Sequence, residues 1–413
     1  MISAWPDAIV SGHTHQSYSY GYTTSTGQVV PVIEAAKYGE MYGHLTITAD
    51  SSTHKLISIG SEVKNLVGVA APDPAVAAVV KAAVDSSAAL GAKSLGTITA
   101  DITRAVQSDG TENRGGESTL SNLIADVDEW AVKDLGAQIG LHNPGGTRAD
   151  LKYASSGAGD PAGNVTYKEA ANVQPFANTL VTLNLTGGQL KQVLEEQWQP
   201  AGLSRPYLKP GVSKELSYTY DPVAASGSHI TAMCLNGARI TDAQVIKVAT
   251  NAFLAAGGDQ FFTLAKGTNV QDSGRIDLQS VVAYMAANSP VSPAYAQRAV
   301  GVTVAAPASG TAYATGETVS VKVSSMLFSK AGPTSGDASL AIGGQTLATE
   351  ALSFTITNAY DEQGQATLEF TVPKGLYGPQ RATITGPGGT AIALTLTMQA
   401  EPAATTVNGS ASP

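Results

Sequence analysis

Apolar residues recur with two different periods along this chain, and the change from one to the other marks its organisation. Over 1–66 the segments QVVPVIEA, YGHLTITAD and HKLISIGSEV alternate or run apolar between turn residues such as Thr26-Gly27 and Ala49-Asp50, which predicts strands. Three or four such strands make part of a sheet rather than a complete domain. A helix is predicted next. Asp73 suits the N-cap, Pro74 the first helical position, and Val76, Val79, Val80, Ala83 and Val84 fall at helical spacing before Gly91. One solitary amphipathic helix within 67–93 reads as a connector between domains.

Residues 94–298 mix the two periods. Ser118 is placed to cap a helix through Leu120, Leu123, Ile124, Val127 and Ala131, and Thr186-Gly-Gly-Gln189 has capping-box spacing before LKQVLEEQW. AQIGLHN, TLVTLNL, ELSYTYD and QVIKVATN predict strands, and IDLQSVVAYMAAN a last helix stopped by Ser289-Pro290. Over 299–400 the period becomes two: Val319/Val321/Val323, Leu368/Phe370/Val372 and Ile392/Leu394/Leu396/Met398 alternate with polar residues between Gly/Pro turns. That predicts an immunoglobulin-like β-sandwich. The small polar residues 401–413 read as a disordered tail. The expected class is α+β.

Composition narrows the function. The 413 residues are 43% apolar and 14% charged, enough for two to four domains and against general disorder. With 24 basic against 33 acidic residues and no Lys/Arg run, nucleic-acid binding is not expected. The single Cys234 excludes an internal disulfide and a cysteine metal cluster. No run of ~20 apolar residues predicts a membrane span. The opening MISAWPDAIVSGHTH lacks the regions of a signal peptide.

Four segments could carry chemistry. Gly12-His13-Thr14-His15 follows an apolar strand, and two imidazoles at a strand-to-loop junction can face one divalent cation; alone, they read equally as exposed loop histidines. Asn143-Pro-Gly-Gly-Thr-Arg148 offers glycines for close approach and an arginine fork, or an ordinary Gly-rich turn. Gln174-Pro-Phe176-Ala-Asn178 and Asn251-Ala-Phe253, running on to Gly257-Gly-Asp259-Gln-Phe261, place scarce aromatic rings on Gly/Pro-flanked stretches. Such rings sandwich a planar base, or anchor a core.

In this order the segments resemble the 5'-nucleotidase family. The matching stretches are RGGESTLSNLIAD from Arg114, NPGGTRADL, TYKEAANVQPFANTLVTLNLTGGQLKQVLEEQ, LSYTYD, ATNAFLAAGGDQF and IDLQSVVAYMAANSPVSP, which cover 94–298 with that family's C-terminal, nucleoside-binding domain. SGHTHQ followed by PVIEAAKYGEMYGHLTI is similar to the last metal-binding loop and closing strands of the family's calcineurin-like metallophosphoesterase domain. The resemblance implies a nucleotide phosphoesterase releasing nucleoside and phosphate, secreted or at the cell surface. It implies that Asn143, Gly145, Gly146 and Arg148 form the substrate loop, with Arg114 a second substrate arginine. Phe176 and Phe253 would stack on the base, and Asp259 would lie beside the ribose. His13 and His15 would each supply one ligand to a pair of divalent ions. Pro144 departs from the family's glycine at that position, as does Gln260 after Asp259, and Lys214 stands where a small residue is usual.

The family's other metal ligands precede the GHTH loop, and only 12 residues precede His13. The expectation is therefore an N-terminally truncated chain. The two metal ions belong to the longer parent and are not held by this chain alone, and no catalytic residue is assigned here. The alternative reading is a non-catalytic extracellular nucleotide-binding or surface-interaction protein whose β-sandwich does the work.

Overall fold

A computed structural model of the protein describes residues 6–157, 159–355, 360 and 363–401, so the predicted tail beyond 401 lies outside the described residues. The chain divides into two compact units, Met1–Ser87 and Ala88–Pro413.

In the first unit the predicted strands form, and so does one that the pattern hides. β1 (Ile9–Val10), β2 (Ser17–Thr23) and β3 (Val29–Ala35) make a sheet in which β3 pairs parallel to β1 and antiparallel to β2. The sequence of β2, SYSYGYT, has no apolar period; it becomes a strand by pairing with the apolar β3. β4 (Met41–Ala49) and β5 (Leu56–Asn65) form an antiparallel hairpin. α1 (Pro74–Gly91) starts where predicted: the Asp73 carboxylate accepts the N–H groups of Ala75 and Val76 at 2.8 and 3.1 Å. No residue of α1 is buried, so its valine stripe faces outward. By length and composition α1 could cross a membrane, but Lys81 and Asp85 pair at 2.7 Å near its middle, where a bilayer penalises charge.

The second unit opens with β6 (Ser94–Thr97), α2 (Thr119–Ala131), β7 (Ile139–His142), β8 (Asn164–Thr166), α3 (Tyr167–Val173), β9 (Thr179–Thr186) and α4 (Gly187–Glu195). The Ser118 hydroxyl caps α2 by accepting from Ser121 N–H, and Thr186 with Gln189 closes the predicted capping box of α4. A second capping box, Thr166 with Glu169, starts the unpredicted α3. There follow β10 (Gly211–Val212), β11 (Leu216–Tyr220), β12 (Ile230–Leu235), β13 (Ala238–Arg239), β14 (Val245–Asn251), the short α5 (Ala252–Ala255), β15 (Thr268–Ile276) and α6 (Asp277–Asn288). The central sheet has the order β10-β7-β14-β9-β15. One core, including Leu141, Leu183, Val193 and Val248, packs around it; another, built from Leu120, Ile124, Val127, Val281 and Met285, joins α2 to α6. Gly140 on β7 is required by the helix above it, because a Cβ there would overlap the Ala125 carbonyl.

The C-terminal region is all-β: β16 (Ala299–Val304), β17 (Thr318–Ser324), β18 (Asp337–Ile342), β19 (Gln345–Ala351), β20 (Ala366–Thr371), β21 (Pro379–Thr385) and β22 (Ala391–Thr397). β19-β18-β21-β22 form one sheet, and the other has the order β13-β12-β11-β16-β17-β20. Val319, Val321, Val323, Leu340, Leu368, Ile384 and Leu396 share one core between them. The longer sheet runs across position 299, since β11 pairs parallel to β16 with Tyr218 opposite Ala299. The buried Glu117 carboxylate fixes that junction by accepting the N–H groups of Arg298 and Ala299 at 2.8 and 3.1 Å.

The two units differ sharply in how much they bury. Among the described residues of 6–87 burial is confined to Thr24 and residues 30–34. Local opening is cheap where few apolar contacts oppose it. Limited proteolysis should therefore cut within 6–87 well before 94–300. First cuts in the central sheet, read by mass spectrometry, would show that the burial pattern does not control opening.

Candidate functional site

Three loops leave the central sheet at one edge, and strand direction explains why. β7 and β14 are parallel neighbours with Gly140 opposite Ala249, so they run out together into Asn143 and Asn251. β9 is antiparallel to β14 with Leu180 opposite Asn251, so the loop carrying Phe176 enters at that same edge. Segments about 33 to 108 residues apart in sequence are thereby brought together, in the position where open sheets bind ligands.

Side-chain amides knit the loops. The buried Asn143 donates from Nδ2 to Asp259 Oδ2 at 2.9 Å, and its Oδ1 accepts from Asn251 Nδ2 at 3.0 Å. Asn251 Oδ1 in turn accepts the Leu254 N–H at 2.8 Å and so caps α5, which carries Phe253. The glycines are needed for approach rather than for flexibility. A Cβ on Gly145 would sit 2.9 Å from Arg114 Nη1 and 3.6 Å from Asp259 Oδ2, and one on Gly146 would overlap His142. Pro144 occupies the first position of a single 3-10 turn, where its fixed φ fits and its missing N–H costs nothing.

Beneath the loop lies a polar chain that sequence reasoning missed. Gln174 Nε2 donates to His142 Nε2 at 3.3 Å, which leaves His142 Nδ1–H to donate to Asp128 Oδ2 at 2.9 Å; all three residues are 1% exposed. Burial pushes the Asp128 carboxyl up, with His142 opposing. The only signal was a histidine and a glutamine flanking apolar stretches, which single-sequence patterning cannot pair.

The cationic side of the site is balanced by Glu112, also unpredicted. Its carboxylate accepts from Arg114 Nε and from Arg104 Nη1, each at 3.0 Å. Burial opposes its charge, but Arg114, Arg104 and Arg148 outweigh burial and hold the carboxyl below its ordinary value. Arg148 lies 5.8 Å from the centre of the Phe176 ring and reaches the Gly145 carbonyl at 3.5 Å. Phe176 and Phe253 are 53% and 46% exposed, so neither ring is a core anchor, whereas Phe261 is buried. Phe253 lies flat enough against Gly258 that a Cβ there would overlap the ring.

His13 and His15 belong to the first unit, in a loop where both adopt left-handed backbone, φ 75° and 63°. Glu34, buried within β3, pins that loop by accepting from Thr14 Oγ1 at 2.6 Å and Gln16 N–H at 3.2 Å. Among the described residues no group of three His, Cys, Asp or Glu could hold a metal ion. A metal pair needs more ligands than two imidazoles, so His13 and His15 by themselves do not fit one.

Two expectations follow from this geometry. Asp150 accepts from Arg104 Nε at 3.0 Å and Lys330 Nζ at 2.8 Å. Burial opposes its charge, yet these partners lower its pKa from 3.8 to about 2. A carboxyl depressed on folding stabilises the fold above its unfolded pKa and ceases to do so as pH falls through the folded one. Asp150→Asn should cost about 2 kcal/mol at pH 7, and the gap should close between pH 4 and 2 in denaturant titrations. Gln260 is left-handed at φ 69°, which favours glycine. Gln260→Gly should raise stability by roughly 0.5–1 kcal/mol after the entropy of the freer unfolded chain is subtracted; a fall in Tm would contradict the strain.

Comparison with known proteins places this geometry. The family described as 5'-nucleotidase, C-terminal domain matches residues 94–266. The trifunctional nucleotide phosphoesterase protein YfkN of Bacillus subtilis is 32% identical over 173 residues, 40% of this chain and 11% of that protein. The cell wall protein Lmo0130 of Listeria monocytogenes is 24% identical over 276 residues, 64% of this chain and 33% of that protein. The crystal structure of a 5'-nucleotidase precursor from Thermus thermophilus superposes with TM-score 0.53 at 26% identity, covering 71% of this chain and 59% of that one. The chain thus spans from about a tenth to three fifths of the length of the proteins it matches. Residues 94–266 form a domain of the 5'-nucleotidase C-terminal type.

Proposed function

We propose that the second unit binds the nucleoside part of a nucleotide, and that the chain serves a nucleotide phosphoesterase which releases nucleoside and phosphate. The observation that supports this is the pair of exposed rings, Phe176 and Phe253, on loops that meet at one edge of the central sheet. In this reading the base stacks between the rings, Asp259 accepts from ribose hydroxyls, and Asn143 holds Asp259 in place. Arg114 and Arg148 face the phosphate end, where a guanidinium fork suits an anionic oxygen pair. Gly145 and Gly146 let the backbone come close enough to touch the ligand. The likeness to a cell wall protein supports action outside the cell.

Calorimetric titration with adenosine and AMP tests the reading. Phe253→Ala should weaken adenosine binding by ~1–3 kcal/mol, the size of one base-aromatic stack. Its Tm should barely move, because a half-exposed ring buries little against the protein. A ring that acted as packing would instead cost ~3–5 kcal/mol of stability on truncation. A large fall in Tm with adenosine affinity intact would sink the clamp.

A further inference from the structure

The segment joining α4 to β10 carries an arginine that no motif singled out. Arg205 is half-buried, and its neighbours fix it against the site from two sides. Gln199 N–H donates to the Pro206 carbonyl at 3.0 Å, while Gln199 Nε2 donates to the Asp259 carbonyl at 3.2 Å. Three residues after Pro206, Lys209 N–H donates to the carbonyl of Arg114 at 2.9 Å. The segment is thus laced to the backbone of both Asp259 and Arg114, and its guanidinium lies within electrostatic reach of Arg114, Arg148, Glu112 and Asp259.

Its bonding is unlike that of the other arginines nearby. Arg104 and Arg114 share Glu112, and Arg104 also holds Asp150. Asp259 is engaged by Asn143. Arg205 makes no hydrogen bond or ion pair with any described residue. Burial and the Arg114 charge both press its pKa below the ordinary arginine value, with Glu112 and Asp259 opposing. A half-buried guanidinium beside two others, with five donors unsatisfied by the protein, is arranged to receive an anion.

We propose that Arg205 is a third arginine of the ligand site, which binds the phosphate-bearing end of a nucleotide and makes the site discriminate nucleotide from nucleoside. This rests on the nucleoside-binding reading above and assigns the discrimination to one side chain. Arg205 forms charge-assisted hydrogen bonds to phosphoryl oxygens that an uncharged nucleoside lacks.

The test is calorimetry on the full chain and on Arg205→Gln and Arg205→Lys, with adenosine, AMP and pyrophosphate as ligands. Arg205→Gln should weaken AMP about 10- to 100-fold, as expected for hydrogen bonds to charged groups. Adenosine affinity and Tm should stay within about twofold and about 1–2 °C, because Arg205 makes no hydrogen bond or ion pair with a described residue that truncation would break. Arg205→Lys should recover part of the AMP affinity, because it restores the charge without the fork. An unchanged AMP affinity, or equal losses for AMP and adenosine, would overturn the proposal. If the wild-type chain binds no adenosine, the nucleoside reading fails by itself, and pyrophosphate then decides Arg205. A tenfold loss of pyrophosphate affinity in Arg205→Gln keeps the anion site, and no loss removes it.

Discussion

The parallel pairing of β7 with β14 is the constraint on which the rest of the site depends. A parallel ladder sends both strand ends to one edge of the sheet, and the antiparallel β9 begins there. A shift of one residue in that pairing would turn every β14 side chain to the opposite face. Asn251 would no longer meet Asn143, and α5 would lose the cap that orients Phe253. Gly140 protects the pairing from above, since α2 can lie this close to β7 only where the strand has no side chain.

Charge is arranged around that frame with one carboxylate per task. Asp259 is oriented by an uncharged amide, which occupies one of its carboxylate oxygens. Glu112 accepts from two arginines, one at each carboxylate oxygen, and so holds Arg104 and Arg114 in place. The Gln174-His142-Asp128 chain lies buried beneath and connects the loops that carry Arg148 and Phe176. Buried polar groups that satisfy one another in this way rigidify the loops they join.

The first unit shows the same logic at smaller scale. The one buried acid among its described residues, Glu34, holds the His13-Thr14-His15 turn in left-handed backbone. Most of its other described side chains are exposed.

Local pattern determined much of this protein: the caps at Asp73, Ser118 and Thr186, the strands around Leu141, Leu183 and Val248, and the alternating strands after 299 all follow from short-range periodicity and hydrogen bonding. Phe176, Phe253, Asn143, Arg148 and Asp259 stood out as candidates because they sit on Gly/Pro-rich loops beside strands. Tertiary structure alone decided the rest. β2 is a strand because β3 lies beside it, and β11 pairs with β16 across position 299, where Glu117 gathers the backbone at Arg298 and Ala299. Glu112 with Arg114, His142 with Asp128 and Gln174, and Arg205 with the Asp259 loop are pairings of charge and hydrogen-bond donors between distant segments. Such pairings depend on register and strand direction, which no local window of sequence contains.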